Sequence, residues 1–197
     1  MKKTGKILAV LVGIVILVVL ILKTSEVSFR NINDSLSCYF LDETSILLRV
    51  KNVDDNIKDF KIIEKVIYGI PSEGTNVKFY YDKNISDLIL VEVNSFASVA
   101  RYFSRYYFKN NNVYFIDSVT DEWDLQKLHG KSGELSSSEG EYVIGTSTRE
   151  QYLISNEKLC KYIAKKPRVK SAAVTGSDPA KDAKGLLEML QFIMDNK

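Results

Sequence analysis

The sequence is poor in the residues that most metal and nucleophilic sites require. The 197 residues include two cysteines, three prolines and a single histidine, His129. Two cysteines exclude a disulfide-dense miniprotein and a four-cysteine zinc site, and one histidine excludes a histidine-rich metal centre. No Gly-x-Ser-x-Gly elbow is present. Gly130-Lys131-Ser132 imitates the end of a phosphate-binding loop, but Leu125 stands where that motif needs glycine. We therefore expect no metal, no cofactor and no catalytic motif.

An excess of positive charge is also missing from most of the chain. Residues 1–23 contain four lysines and no acidic residue. Removing those four from the 27 basic residues leaves 23 basic against 25 acidic side chains, so residues 24–197 carry a net charge of −2. A nucleic-acid-binding domain is expected to be basic or to carry a basic stripe. The balance therefore predicts no nucleic-acid partner.

One long apolar run stands out near the start of the chain. Residues 7–22 contain only Ile, Leu, Val, Ala and Gly, and they lie between Lys6 and Lys23. A helix of this length spans about 24 Å against a hydrocarbon core of about 30 Å, and flanking lysines extend the usable span. No small-x-small cleavage pattern follows Lys23. We predict an uncleaved signal anchor over 1–23, with a cytoplasmic N-terminus and an extracytoplasmic remainder. The alternative is a cleaved signal and a secreted protein.

The remaining chain divides into a polar tether over 24–41 and one extracytoplasmic domain over 42–197. Outside the cytoplasm Cys38 and Cys160 can form a disulfide. Equally, two cysteines can serve as small buried hydrophobic residues. Both interpretations stay open at this point.

The domain begins with a segment of helical periodicity. Asp42 or Thr44 can cap a helix, and Gly69 with Pro71 can end it. Between them, apolar residues recur every three or four positions, which predicts one long amphipathic helix. These residues are Ile46, Val50, Val53, Ile57, Phe60, Ile63 and Ile67.

Three later segments repeat one pattern, in which an aromatic run leads into an asparagine-containing turn and then another β-rich run. Asparagine tolerates the left-handed backbone conformation of tight turns, and aromatic residues suit a pleated sheet. The pattern predicts three hairpins, and thus about six antiparallel strands. The segments are Phe79–Asn84, Tyr106–Asn111 and Gln151–Asn156.

The C-terminal region predicts a second helix. Asp178-Pro179 provides an N-cap followed by proline at the first helical position, and an apolar stripe follows. We expect a helix over 179–195, docked beside the first helix. The fold class is therefore α+β: an N-terminal transmembrane helix, a long amphipathic helix, a sheet of about six strands and a C-terminal helix. The polar stretch Thr120–Glu141 is expected to be a mobile loop.

The hairpin segments also carry a resemblance. The runs Ser72–Thr75, Phe79–Asp82, Arg105–Asn110 and Gln151–Ile163 resemble a loose group of uncharacterised bacterial envelope proteins with Tyr-Tyr-Phe-x-Asn-Gly-Lys-Leu hairpin repeats. They are distantly similar to the tyrosine- and glycine-rich hairpins of MORN-type proteins. This chain departs from the pattern because no glycine follows the turn asparagines. The resemblance implies an extracytoplasmic hairpin domain and transfers no catalytic residue.

The density of aromatic residues provides the remaining functional indication. Tyrosine is enriched at recognition surfaces, so Tyr102, Tyr106 and Tyr114 are candidate binding residues wherever the sheet leaves them exposed. The leading hypothesis is a non-enzymatic, membrane-anchored extracytoplasmic module of the bacterial cell envelope, held in the membrane by residues 7–22, that binds an envelope protein or glycan.

Two alternatives come from other functional classes. The first is an envelope hydrolase that uses carboxylates such as Glu73, Asp121 or Asp124. The second is a structural subunit of a larger envelope assembly, which would expose a large apolar patch.

Overall fold

The fold is taken from a computed structural model that describes residues 38–39, 41–69, 74–123, 144–165 and 178–197. The chain divides into two compact units, Met1–Leu41 and Asp42–Lys197. The predicted anchor over 7–22 and most of the predicted tether lie outside the described residues. Among the residues that are described, no helix has the length and apolar character needed to cross a membrane.

The second unit opens with helix α1, Glu43–Asp55. Asp42 caps this helix, because its carboxylate accepts a hydrogen bond from the Thr44 amide at 3.1 Å. The predicted stripe points inward, with Val53 buried and Val50 half-buried. A short 3₁₀ turn over Ile57–Asp59 then leads away from the helix.

The prediction of one long helix is wrong beyond this turn. Residues Lys61–Ile67 form strand β1 and pair antiparallel with the following strand. Ile62, Ile63, Val66 and Ile67 are β-branched, and such residues favour a pleated strand over a helix. The sequence alone does not separate helical from strand periodicity in this segment. The backbone hydrogen bonds formed by pairing with a neighbouring strand decide in favour of the strand.

The core of the domain is one antiparallel sheet of seven strands. Their order in the sheet equals their order in the chain, so every strand pairs with its sequence neighbours. The three predicted hairpins are present as β2–β3, β4–β5 and β6–β7, and β1 is the strand that was not predicted. After β1, the strands are β2 Thr75–Tyr81, β3 Leu88–Phe96, β4 Ala100–Lys109, β5 Asn112–Trp123, β6 Ile144–Ser155 and β7 Lys158–Lys165.

Two of the hairpins close through two-residue turns with positive φ at both central positions. These positions are Asn110 and Asn111 between β4 and β5, with φ of 50° and 61°, and Asn156 and Glu157 between β6 and β7, with φ of 49° and 60°. Two successive left-handed residues define the type I′ turn, whose twist matches that of the flanking strands. Asparagine and glutamate therefore adopt the left-handed backbone conformation at turn positions where glycine is most common.

The C-terminal helix α2, Pro179–Asp195, confirms the predicted boundaries. The Asp178 carboxylate accepts a hydrogen bond from the Ala180 amide at 3.1 Å, as expected of an N-cap. Its buried stripe packs against one face of the sheet, which we call the α2 face. One row of paired residues across β2 to β6 supplies the centre of this core: Phe79, Val91, Tyr106, Ile116 and Tyr152.

Helix α1 contacts the opposite face, which we call the α1 face. The Tyr107 hydroxyl of β4 donates a hydrogen bond to Asp54 of α1, and the Arg49 guanidinium lies over the Tyr114 ring at 5.6 Å. The two helices therefore cover opposite faces of the sheet, rather than docking side by side as expected. The α1 face carries aromatic residues such as Tyr107 and Phe115, so the sheet offers apolar surface to a helix on each face.

Candidate functional site

The three candidate tyrosines do not form one exposed surface. Tyr102 is 42% exposed on the α2 face, whereas Tyr106 on the same face is 0% exposed and belongs to the core. Tyr114 is half-buried beneath α1 on the opposite face. It is the extra residue of a bulge, because Tyr107 pairs with Phe115 while Phe108 pairs with Val113.

The candidate hydrolytic carboxylates are not assembled in the described structure either. Asp121 lies near the end of β5 and accepts a hydrogen bond from the Ser147 hydroxyl at 2.7 Å. Glu73 and Asp124 lie outside the described residues. Within the described ranges, no group of three metal-ligating side chains comes together.

The α1 face instead carries a row of charges that alternate in sign from strand to strand. Antiparallel register places paired residues on the same face, so one residue from each of β1 to β5 contributes to the row. The members, in strand order, are Glu64, Lys78, Glu92, Arg105 and Asp117.

Most charges in this row are compensated by direct contacts. Lys78 lies 2.8 Å from Glu64, and the hydrogen bond between them raises the pKa of Lys78. Arg105 contacts Glu92 at 2.9 Å and Asp54 of α1 at 3.0 Å. The Tyr80 hydroxyl also donates to Glu92; burial and this hydrogen bond raise the pKa of Tyr80. The centre of the row is therefore a structural ion-pair network.

The far end of the row is held by a buried carboxylate. Asp117 accepts hydrogen bonds from the Arg149 Nε at 2.7 Å and from the Gln151 amide at 3.3 Å. Arg149 also contacts the second carboxylate oxygen, which makes the pair bidentate. Because every charge here has an opposite partner, these residues act in folding and are poor candidates for catalysis.

Beyond α1, the same face opens into a groove of about 560 Å³ over strands β1 to β4. We call it the polar groove. Its lining combines ion-paired side chains with amides, a guanidinium and an aromatic ring: Glu64, Lys78, Asn76, Asn94, Arg101 and Phe103. A concave site with a few convergent polar groups is the usual form of a ligand-binding pocket.

Arg101 differs from the other charged residues of the groove. Its Nε donates a hydrogen bond to the Asn94 side chain at 2.9 Å. Its guanidinium lies over the rings of Phe96 at 5.6 Å and Phe103 at 5.8 Å. Asp121 is its cross-strand neighbour on β5, but within the described structure Arg101 forms no ion pair with a carboxylate. Ring stacking and one hydrogen bond therefore hold the Arg101 guanidinium in place without neutralising its charge.

A second groove, also of about 560 Å³, lies between α2 and the turns that join β4 to β5 and β6 to β7. Its apolar lining includes Val113, Leu187 and Met194, which also pack against the hydrophobic core. We interpret it as the margin of the hydrophobic core, because these apolar lining residues pack against that core.

The polar groove was not predicted from the sequence, because its residues come from four separate strands. A signal was nevertheless present in β3 and β4. Glu92 and Asn94 alternate with the buried residues Val91 and Val93, which places both polar side chains on one face. If consecutive strands are assumed to pair, this alternation predicts that the polar residues of neighbouring strands lie side by side on one face.

Cysteine pairing is the remaining candidate feature. The structure leaves neither Cys38 nor Cys160 as a free thiol. Their pairing with each other stays a prediction of the sequence.

Comparison with known proteins adds no assignment to this geometry. No protein family, no curated protein and no solved structure matches the chain.

Proposed function

We propose that the protein is a non-enzymatic binding module of the bacterial cell envelope, anchored in the membrane by residues 7–22 with its sheet domain outside the cytoplasm. The binding surface in this proposal is the polar groove on the α1 face. The sequence supports the compartment through the apolar run between Lys6 and Lys23.

The observation that carries the proposal is the stacked Arg101 guanidinium in an open groove. A guanidinium that forms no ion pair has unused capacity to bind an anionic group. The adjacent Asn76 and Asn94 amides add donors and acceptors, which fix the orientation of a ligand. Rigid strands position all three residues, which favours recognition by a preformed site.

Binding is favoured over hydrolysis because the groove's carboxylates are already engaged. Glu64 pairs with Lys78, and Glu92 accepts hydrogen bonds from both Arg105 and Tyr80. A carboxylate that acts as a general acid or base must be free to exchange a proton with the substrate, and these two are occupied by contacts within the protein.

The test is site-specific photo-crosslinking in living cells. A photoreactive amino acid replaces Asn76 inside the groove, and the same amino acid replaces Lys83, an exposed turn residue outside it. We expect a discrete covalent adduct from position 76 and none from position 83. Equal labelling at both positions, or no adduct at position 76, would contradict the proposal.

A second candidate, a subunit of an envelope assembly, is favoured by the exposed strand β1. This strand forms one edge of the sheet, and Ile62, Ile63 and Val66 are all exposed. Such an edge can accept an extended strand from another envelope protein. A crosslinker at Ile63, compared with one at the exposed Ile85 in the β2–β3 turn, separates the two candidates. An adduct at position 63 without one at position 76 would favour the assembly subunit.

A further inference from the structure

The charges that line the polar groove are not equally available to a ligand. Glu64 and Lys78 neutralise each other, and Glu92 is neutralised by Arg105. Lys65 also lines the groove, but it pairs with the core residue Val77, so its side chain lies on the α2 face. Among the described lining residues with side chains on the α1 face, Arg101 is thus the one charged residue without an ion-paired carboxylate. A groove with one free positive charge suits a ligand that presents one oxyanion at that point and is otherwise neutral.

The guanidinium is also presented in a form that suits a carboxylate. Only its Nε is used, by Asn94, so the four N–H groups of its two terminal nitrogens have no partner among the described residues. Parallel N–H groups of arginine bind the two oxygens of a carboxylate in a bidentate arrangement. The rings of Phe96 and Phe103 limit the movement of the fork, so less entropy is lost on binding.

The rest of the groove suits a ligand whose uncharged part is rich in hydroxyl groups. The Asn76 amide forms no hydrogen bond within the described structure, and the Asn94 amide keeps its nitrogen free after its oxygen accepts from Arg101. A sugar hydroxyl both donates and accepts, as does a side-chain amide. Val66 and the Phe103 ring add apolar surface beside these amides, against which the C–H groups of a sugar ring can pack.

From these observations we propose that the polar groove binds an acidic saccharide, with the sugar carboxylate on Arg101 and the hydroxyl groups on Asn76 and Asn94. This assignment rests on the proposed binding function and adds the chemical class of the ligand.

The test uses the full chain in detergent micelles and three saccharide probes. Trigalacturonic acid carries the carboxylates, its methyl ester has the same sugar body without the charge, and maltotriose is a neutral sugar of equal length. Binding is measured by titration calorimetry. We expect the acid to bind about 10- to 100-fold more tightly than the ester, which corresponds to one charge-assisted contact.

Substitutions test whether Arg101 is the residue that distinguishes the acid from the ester. R101Q is expected to abolish the preference for the acid while leaving the weak affinity for the ester unchanged. R101K keeps the positive charge but lacks the planar guanidinium, so it should retain part of the preference for the acid over the ester. N76A should weaken the binding of acid and ester by the same factor. The matched control is R49Q, since Arg49 also lies over an aromatic ring but stands outside the groove.

The outcomes separate the ligand class from the function itself. Tighter binding of an acetylated glutamate-containing peptide than of trigalacturonic acid, lost in R101Q, would overturn the saccharide assignment and leave the binding module intact. Acid and ester of equal affinity, with a position-76 adduct still formed in cells, would overturn the role of Arg101 alone. Absence of binding together with absence of that adduct would overturn both proposals.

Discussion

The Tyr107 hydroxyl of β4 lies 3.0 Å from the Asp54 carboxylate of α1 and donates a hydrogen bond to it. The preceding residue, Tyr106, is equally buried, but among the described residues its hydroxyl has no hydrogen-bond partner of normal geometry, although Ser104 lies nearby. Two adjacent tyrosines on opposite faces of the sheet thus differ in whether their hydroxyl groups are satisfied.

Replacing each tyrosine by phenylalanine should therefore have different effects. Y107F removes a hydrogen bond to a charged group and should lower the free energy of unfolding by about 1–2 kcal/mol. Y106F removes a buried hydroxyl without a partner and should leave that free energy unchanged or raise it slightly. Urea denaturation measures both values. Equal losses in the two variants would show that the contact with Asp54 contributes nothing.

Alkaline pH should destabilise the domain through its buried tyrosines. Burial raises the pKa of Tyr114 to about 12, and burial also raises the pKa of Tyr80, Tyr106, Tyr107 and Tyr152. A raised pKa in the fold means that this contribution to stability is complete below the unfolded value of 10.0 and is lost as the pH rises through the folded value.

Ultraviolet titration of tyrosinate checks this expectation. In the folded chain, the buried tyrosines should ionise at a higher pH than they do in the unfolded chain, together with loss of structure. The chain unfolded in urea should show a single transition near pH 10. A single transition in the folded chain as well would contradict the burial of these hydroxyl groups.

Glycine at position 157, in the turn between β6 and β7, should stabilise the domain. Glu157 has φ of 60°, a conformation that is unfavourable for a side chain other than Asn or Asp by about 1–2 kcal/mol, whereas glycine adopts it freely. After subtracting the greater entropy of glycine in the unfolded chain, we expect E157G to raise the free energy of unfolding by about 0.5–1 kcal/mol. The control is N111G, which should gain less because asparagine already tolerates φ of 61°. A destabilised E157G variant would contradict this account of the turn.

Residues 7–22 should retain the protein in the membrane. We expect the full chain to remain in the membrane pellet after alkaline carbonate extraction, and a variant without residues 1–23 to be released. Alkaline phosphatase fused after Lys197 should be active, because that enzyme folds only outside the cytoplasm. An inactive fusion, or a mature protein that lacks the first residues by mass spectrometry, would contradict the uncleaved anchor.

The cysteines provide a separate test of compartment. If Cys38 and Cys160 are paired, the denatured, unreduced protein should contain no reactive thiol, and C38S should contain one. A bridge that closes a loop of this size is worth about 4–5 kcal/mol in the chain-entropy model. Reduction should therefore lower the urea midpoint of the wild type and leave that of a C38S/C160S variant unchanged. Two reactive thiols in the unreduced wild type would exclude the bridge.

Local signals predicted those parts of the fold that depend on local chemistry. Asp178 with Pro179 marked the start of α2 because capping and a fixed φ act within one turn of helix. Asn110 and Asn156 marked two hairpins because left-handed turns require particular residues. These elements could be located without knowing what they pack against.

The errors fall where tertiary contacts decide. The apolar spacing from Ile57 to Ile67 fits a helix, but pairing with β2 converts Lys61–Ile67 into a strand. The bulge at Tyr114 moves that side chain to the α1 face, and no turn or composition signal announces it. The polar groove follows from the register of four strands, which becomes definite only once the sheet is assembled.

The strand order has a consequence for how the chain acquires its structure. Because each strand pairs only with the strands before and after it, the sheet can form by adding one strand at a time in chain order. Apart from residues 124–143 between β5 and β6, the connections between consecutive strands are short, so closing them costs little entropy. Short sequence separation between contacts is associated with rapid folding. Because synthesis proceeds from the N-terminus, β1 to β4, which line the polar groove, are available for pairing before α2 is synthesised.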